Sequence, residues 1–300
     1  MDLSLTKSSP LFQGEKNAIL GNKSTHAYII EGAQGIGKTS FALAASCVHF
    51  CTSENKPCFE CASCRKVLEG NHPDVHVIYP ENNMLRVNQV RDALATSHET
   101  PYEGKSKIYI FKDFHLANEH SQNALLKTLE EPPKSVSFFL LTENSLAALP
   151  TVRSRCKKLR LTGFSQEEIL QFLDKSFPNN DRNRFAAQNS FGNVGDAIKL
   201  VDDEEYIRLF DKANNILRLS ESGDFYAEIA LELEKEKNIL ALLHVLENLF
   251  FAHFKQNPEL LIKLGAIQNA LTQKKKNVNG GLVTERLAYI LAKGGTKWQK

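Results

Sequence analysis

The chain has 300 residues, 42% of them apolar, with 37 Lys and Arg against 35 Asp and Glu and a formal net charge of +2. That length suits two or three globular domains, and the near-neutral charge excludes a molecule that is basic throughout, so any nucleic-acid contact must come from a local patch. Residues 240–254, the most apolar stretch, are broken by His244, Glu247 and Asn248 and are too short and polar to span a bilayer.

Residues 1–25 are polar and are expected to form a helix and loop. The opening Met1-Asp2-Leu3-Ser4-Leu5 lacks the basic and apolar regions of a secretory signal. No membrane contact and a cytoplasmic location are expected, a setting in which six cysteines do not make a disulfide framework. Ala27-Tyr28-Ile29-Ile30 reads as a short buried strand and residues 40–51 as a helix. Between them lies Gly32-Ala33-Gln34-Gly35-Ile36-Gly37-Lys38-Thr39, the pattern G-x-x-x-x-G-K-T of a phosphate-binding loop. Gly32, Gly35 and Gly37 let backbone N–H groups turn onto a polyphosphate. Lys38 can reach the β- and γ-phosphates, and Thr39 can offer its hydroxyl to Mg²⁺.

Cysteines crowd the next segment. Cys51, Cys58, Cys61 and Cys64 give C-x6-C-x2-C-x2-C, and four soft sulfurs at this spacing favour a closed tetrahedral Zn²⁺ site of structural type. Cys47, four residues before Cys51 on the same helix face, is a rival for the first ligand position. The spacing leaves that choice open.

Residues 76–80 read as a strand and residues 87–97 as a helix, with Val87, Val90, Leu94 and Ala95 at helical spacing. Pro101 and Gly104 mark a turn, and residues 107–113 a buried strand ending in charge. Residues 118–130 are a helix stopped by Pro132-Pro133. Residues 136–142 form a near-continuous apolar strand of the kind found inside parallel sheets. Strands alternating with helices after a phosphate loop predict an α/β domain with a parallel sheet. After Leu161 the pattern becomes helical, starting with a capping box at Ser165 and Glu168. The expected layout is a nucleotide-binding domain over 1–161 with the cysteine module near 47–64, a small helical domain over 162–205, and an all-α domain over 206–300.

Asn123-Ala124-Leu125-Leu126-Lys127-Thr128-Leu129-Glu130-Glu131-Pro132-Pro133, followed by Ser154-Arg155-Cys156, closely resembles the bacterial clamp-loader AAA+ subunits, the gamma/tau and delta-prime subunits of DNA polymerase III. The cysteine cluster is similar to theirs, and Gly70-Asn71-His72-Pro73-Asp74 resembles the delta-prime branch in particular. The resemblance is strong over residues 26–161. It is weaker near the end, where Asn277-Val278-Asn279 with Leu282 and Glu285 looks like the family's final-helix signature.

The resemblance implies a P-loop AAA+ domain, a helical lid and an all-α collar domain, with gamma/tau and delta subunits as partners and a sliding clamp and primed DNA reached through the assembly. It implies that Arg155 projects across a subunit interface onto a neighbour's ATP, where such a finger raises turnover by about 10³–10⁵. Thr142 matches the polar position that reads the γ-phosphate.

Two positions depart from the gamma-like pattern. A working triphosphatase of this fold needs an acidic pair at the end of the strand beside the phosphate loop, one carboxylate for Mg²⁺ and one for the attacking water. Here the strand ends in Lys112-Asp113. Unit charges 4 Å apart interact by about 4 kcal/mol at an effective dielectric of about 20, so a lysine aimed at the metal disfavours it. Strand alternation sends Asp113 to the other face. The alternative is that Lys112 turns outward and Mg²⁺ is held through water. Gly195 stands where gamma-like subunits carry an arginine that contacts nucleotide. The expectation is binding of ATP or ADP, with Mg²⁺ disfavoured and little hydrolysis.

Overall fold

The computed structural model describes residues 3–178, 180–222, 225–254, 257, 260–275 and 280–293. Gly223, Lys276 and the tripeptide 277–279 lie outside the described residues. The chain divides into two compact units, residues 1–197 and 198–300.

The first unit starts with α1 (Ser4–Ser8) and α2 (Pro10–Leu20) and continues through β1 (Ala27–Glu31), α3 (Lys38–Phe50), α4 (Ala62–Leu68), β2 (Val75–Ile78) and α5 (Val87–Ser97). Next come β3 (Lys107–Phe111), α6 (Glu119–Glu130), β4 (Val136–Thr142), α7 (Pro150–Arg153) and β5 (Lys157–Arg160). The helices α8 (Gln166–Ser176) and α9 (Asn180–Asn189) follow, and the unit ends in the first turn of α10 (Val194–Asp202).

All five strands are parallel, in the order β2-β3-β4-β1-β5. Successive strand residues face opposite sides, and both sides are covered. Tyr28, Ile30, Phe139 and Leu141 pack with Phe12, Phe41 and Val67 on one side. Ala27, Ile29, Phe138 and Leu140 pack with Val90, Leu125 and Val152 on the other. Burial on both faces is why β3 and β4 are apolar almost without a break. β5 went unread in the sequence because Lys157-Lys158-Leu159-Arg160 buries only Leu159, as an edge strand can.

Two details of the sequence reading are corrected. β4 lies between β1 and β3, and Lys112 follows β3 instead of ending it. β3 itself stops at Phe111. Asp113 adopts a left-handed φ of 49° and caps a 3-10 turn at Phe114–Leu116, so strand alternation does not decide where its carboxylate points.

The capping box is formed: Ser165 Oγ accepts from Glu168 N at 3.2 Å, and Glu168 Oε2 accepts from Ser165 N at 2.8 Å. The second unit is helical, with α11 (Glu204–Ser222), α12 (Tyr226–Glu234), α13 (Ile239–Phe254), α14 (Leu260–Lys275) and α15 (Gly280–Lys293). Leu242, Val245, Leu246 and Leu249 of α13 are buried at the three- and four-residue spacing of a helix face. Buried Glu236 accepts from Arg208 Nη1 at 2.9 Å, Lys212 Nζ at 3.0 Å and Asn238 N at 3.0 Å. No helix among the described residues is long and apolar enough to cross a membrane.

Candidate nucleotide and metal sites

The phosphate loop leaves β1 at its carboxyl end and runs into α3, so its backbone N–H groups and the helix's positive end face the same space. Gly35 (φ 82°) and Gly37 (φ 101°) take the left-handed backbone that this turn requires. Lys38 folds back over its own loop, donating from Nζ to Gly32 O at 2.8 Å and Ala33 O at 2.9 Å. Burial pushes the Lys38 pKa below its ordinary value; Glu143 and Asp113 pull it up and Lys112 pulls it down. Glu143 is an acidic neighbour of the site that the sequence did not single out, because nothing local to residue 143 marks it. Thr39 is the second residue of α3. Thr142 is buried at the end of β4, where its hydroxyl donates to Asn144 O at 3.0 Å and accepts from Asn144 N at 3.2 Å.

Lys112 does not aim at the loop alone. Its ammonium lies 4.8 Å from the centroid of the exposed Tyr79 ring, the outward course weighed as the alternative. Residue 112 itself offers no carboxylate to a metal ion.

The turn before α10 closes on the loop. Asn193 Nδ2 donates to Gln34 O at 2.7 Å, and Gly195 N donates to Gly35 O at 3.0 Å. A Cβ on Gly195 would come within 2.8 Å of Gly35 Cα, so the lack of a side chain at Gly195 permits the contact. A cavity of 360 Å³ adjoins Ile36 and Gly37 and is lined also by Thr6, Pro10, Phe41 and Leu161. It is large enough, and apolar enough in part, for a flat heterocycle.

Arg155 lies elsewhere. Lys157 is level with Tyr28 at the start of β1, and Arg155 precedes Lys157, whereas the phosphate loop begins beyond the far end of β1 at Gly32. Four strand residues separate the two levels, about 13 Å along the strand axis. Arg155 therefore lies at the opposite end of the strands from this chain's own loop. Its Nη1 donates to Thr151 O at 2.7 Å, and its Nη2 pairs with Glu130.

The sulfur atoms of Cys51, Cys58, Cys61 and Cys64 all lie within 4.8 Å of one another. A tetrahedron of sulfurs about 2.3 Å from a central ion has edges of about 3.8 Å, so this set could hold a metal ion. Cys58 N points at Cys51 Sγ (3.3 Å) and Cys61 N at Cys58 Sγ (3.3 Å). Burial alone would raise the Cys61 pKa, but hydrogen bonds to Thr52 and Cys64 bring it down to about 6. Cys47 stands apart: its Sγ faces Cys64 O at 3.8 Å, and burial pushes its thiol up to about 12. Beneath this module, Asp74 is fully buried and accepts from the backbone of Tyr102 (2.7 Å), Glu103 (2.8 Å) and Gly104 (2.9 Å).

A phosphate loop after the first strand of a parallel sheet, flanked by a helical segment that closes over it, defines a P-loop nucleotide-binding domain of the AAA+ type. A crystal structure of a DNA polymerase III gamma-subunit-related protein from Thermotoga maritima shares the fold, with a TM-score of 0.50 at 17% identity, covering 94% of this chain and 98% of that one. The chain belongs to the family described as "DNA polymerase III, delta subunit", which residues 8–165, more than half of it, match. It is 34% identical over 196 residues to the DNA polymerase III subunit tau/gamma of Haemophilus influenzae, covering 62% of this chain and 28% of that one. It is 31% identical over 191 residues to the subunit delta′ of Bacillus subtilis, covering 63% and 58%. The chain thus spans 28% to 58% of the length of these two curated relatives.

Proposed function

We propose that this chain is a delta′-type subunit of a bacterial DNA polymerase III clamp loader, assembling with tau/gamma- and delta-type subunits to place a sliding clamp on primed DNA. Its part is to complete a neighbour's ATP site with Arg155. The observation that carries this reading is the place of Arg155, at the end of the strands opposite the chain's own phosphate loop. A guanidinium there is placed to meet phosphates held by a neighbouring molecule, where it would stabilise charge on a transferring phosphoryl group.

The chain's own loop binds ATP or ADP weakly and turns it over slowly. Lys38 would hold the phosphates once it releases Gly32 and Ala33, and the cavity beside Ile36 would take the base. Residue 112 offers no carboxylate to Mg²⁺, and Gly195 offers no charge to the γ-phosphate. Residues 162–205 act as the lid, and the helices of 206–300 join the collar of the assembly. Zn²⁺ is the ion that the four thiolates hold, in a structural role, since no coordination position is left open.

Steady-state hydrolysis by the isolated chain tests this directly. Turnover is expected to be slow, and Lys38→Ala should lower the little there is. Brisk turnover abolished by that substitution would instead make the chain a gamma-like motor.

A further inference from the structure

The guanidinium of Arg155 is not a free surface group. Its Nη1 donates to Thr151 O at 2.7 Å and to Ser154 Oγ at 3.3 Å, and its Nη2 donates to Glu130 Oε1. Two of these contacts come from its own turn. The third comes from the end of α6, 25 residues earlier in the chain. Arginine has five N–H donors in a planar fork, so these contacts leave two for an incoming phosphoryl oxygen.

Glu130 is itself carried on a fixed support. Leu129 beside it is buried, and Leu129 O accepts from His26 Nε2 at 3.0 Å, which ties the end of α6 to the start of β1. Pro132 and Pro133 stop the helix just beyond. The pair is partly exposed, 32% for Arg155 and 51% for Glu130, and exposed pairs of this kind add little to folding stability. Its geometric effect is larger. An arginine on a turn spreads over many rotamers, and one held on two sides meets its target without losing that freedom on docking.

We infer that Glu130 is a positioning residue for Arg155, holding the finger in the orientation in which it meets a neighbouring chain's nucleotide. This rests on the reading of Arg155 as a finger that acts in trans. Glu130 touches no substrate; it acts through the guanidinium alone. Because the pair holds one geometry before docking, its loss costs kcat and leaves the neighbour's affinity for ATP in place.

The test uses the reconstituted complex with a tau/gamma-type partner, in which only the adjoining ATPase site is competent. Wild type, Glu130→Ala, Glu130→Gln, Arg155→Ala and the double variant Glu130→Ala/Arg155→Ala are compared, with assembly checked by gel filtration. Glu130→Ala is expected to lower kcat about tenfold with KM for ATP unchanged. Glu130→Gln, which keeps an acceptor but no charge, should fall between it and wild type, and the double variant should match Arg155→Ala. If Arg155→Ala lowers turnover while Glu130→Ala leaves kcat unchanged or raises it, Glu130 positions nothing. A rise in KM at constant kcat, or a double variant well below Arg155→Ala, would also overturn the inference. If Arg155→Ala itself has no effect, the in-trans reading fails and the positioning role falls with it.

Discussion

Asp74 holds the loop 102–104 through three backbone N–H groups while having no exposed surface of its own. Asp74→Ala leaves those donors buried without a partner and should cost about 2–4 kcal/mol, measured by urea unfolding. Burial alone would raise the Asp74 pKa, but the three donors hold it below the ordinary carboxylate value. Glu236 is held down to about 2, chiefly by Arg208. Both folded-state values lie below the unfolded ones, so their contribution is complete above the unfolded pKa and is lost as pH falls through the folded one. The urea midpoint should therefore drop between pH 5 and pH 2, and drop less steeply in Glu236→Gln; an identical acid limb in that variant would contradict the assignment. The string Gly70-Asn71-His72-Pro73-Asp74 was visible in the sequence only as a likeness. The use of Asp74 was not, because the donors it serves lie 28 to 30 residues away. Glu143 was hidden for the same reason: its effect on Lys38 exists only once β4 lies beside β1.

Elements with strong local patterns were legible, and those without were not. β4 and α5 follow from apolar runs and helical spacing at the bounds expected. β5 does not, since a sheet edge asks for one buried residue and tolerates lysines. The cysteine module was legible as a metal-type set, but the choice of first member was not. Cys47 and Cys51 share a helix face by spacing, and only the end of α3 separates them. Cys51 is the residue at which the backbone turns extended (φ −62°, ψ 131°), which swings it toward Cys58, while Cys47 stays in the helix. Purified protein should carry about one zinc per chain, absent from Cys61→Ser/Cys64→Ser, whose Tm should fall by roughly 5–10 °C. Metal analysis that finds none in the wild type would refute it. At the phosphate loop, Asn193 and Gly195 hold the carbonyls of Gln34 and Gly35, in the turn that would cradle a nucleotide's phosphates. Asn193→Ala removes the hydrogen bond to Gln34 O and the two that Asn193 Oδ1 accepts from Gly195 N and Asp196 N, and should tighten ADP binding about threefold to tenfold by calorimetry. Weaker binding would show that Asn193 helps hold the nucleotide instead.

At the scale of the molecule, a nucleotide-binding unit of AAA+ type and a helical unit are joined in one chain whose family is that of the DNA polymerase III delta subunit. The parallel sheet, the helical second half and the phosphate loop were all readable from periodicity and one eight-residue motif. The separation of Arg155 from that loop was not, because it depends on the register of β5 on β1. That register gives the two charged ends of the sheet different work. One end carries a loop poised for phosphate but without its metal-side carboxylate, and the other carries an arginine clasped at the surface. The most direct measurement is ATP hydrolysis in a complex whose only competent site adjoins this chain, comparing Arg155→Ala with Lys38→Ala. Turnover should fall at least a hundredfold in Arg155→Ala and stay near wild type in Lys38→Ala. The opposite pattern, with turnover lost in Lys38→Ala and unchanged in Arg155→Ala, would contradict the account.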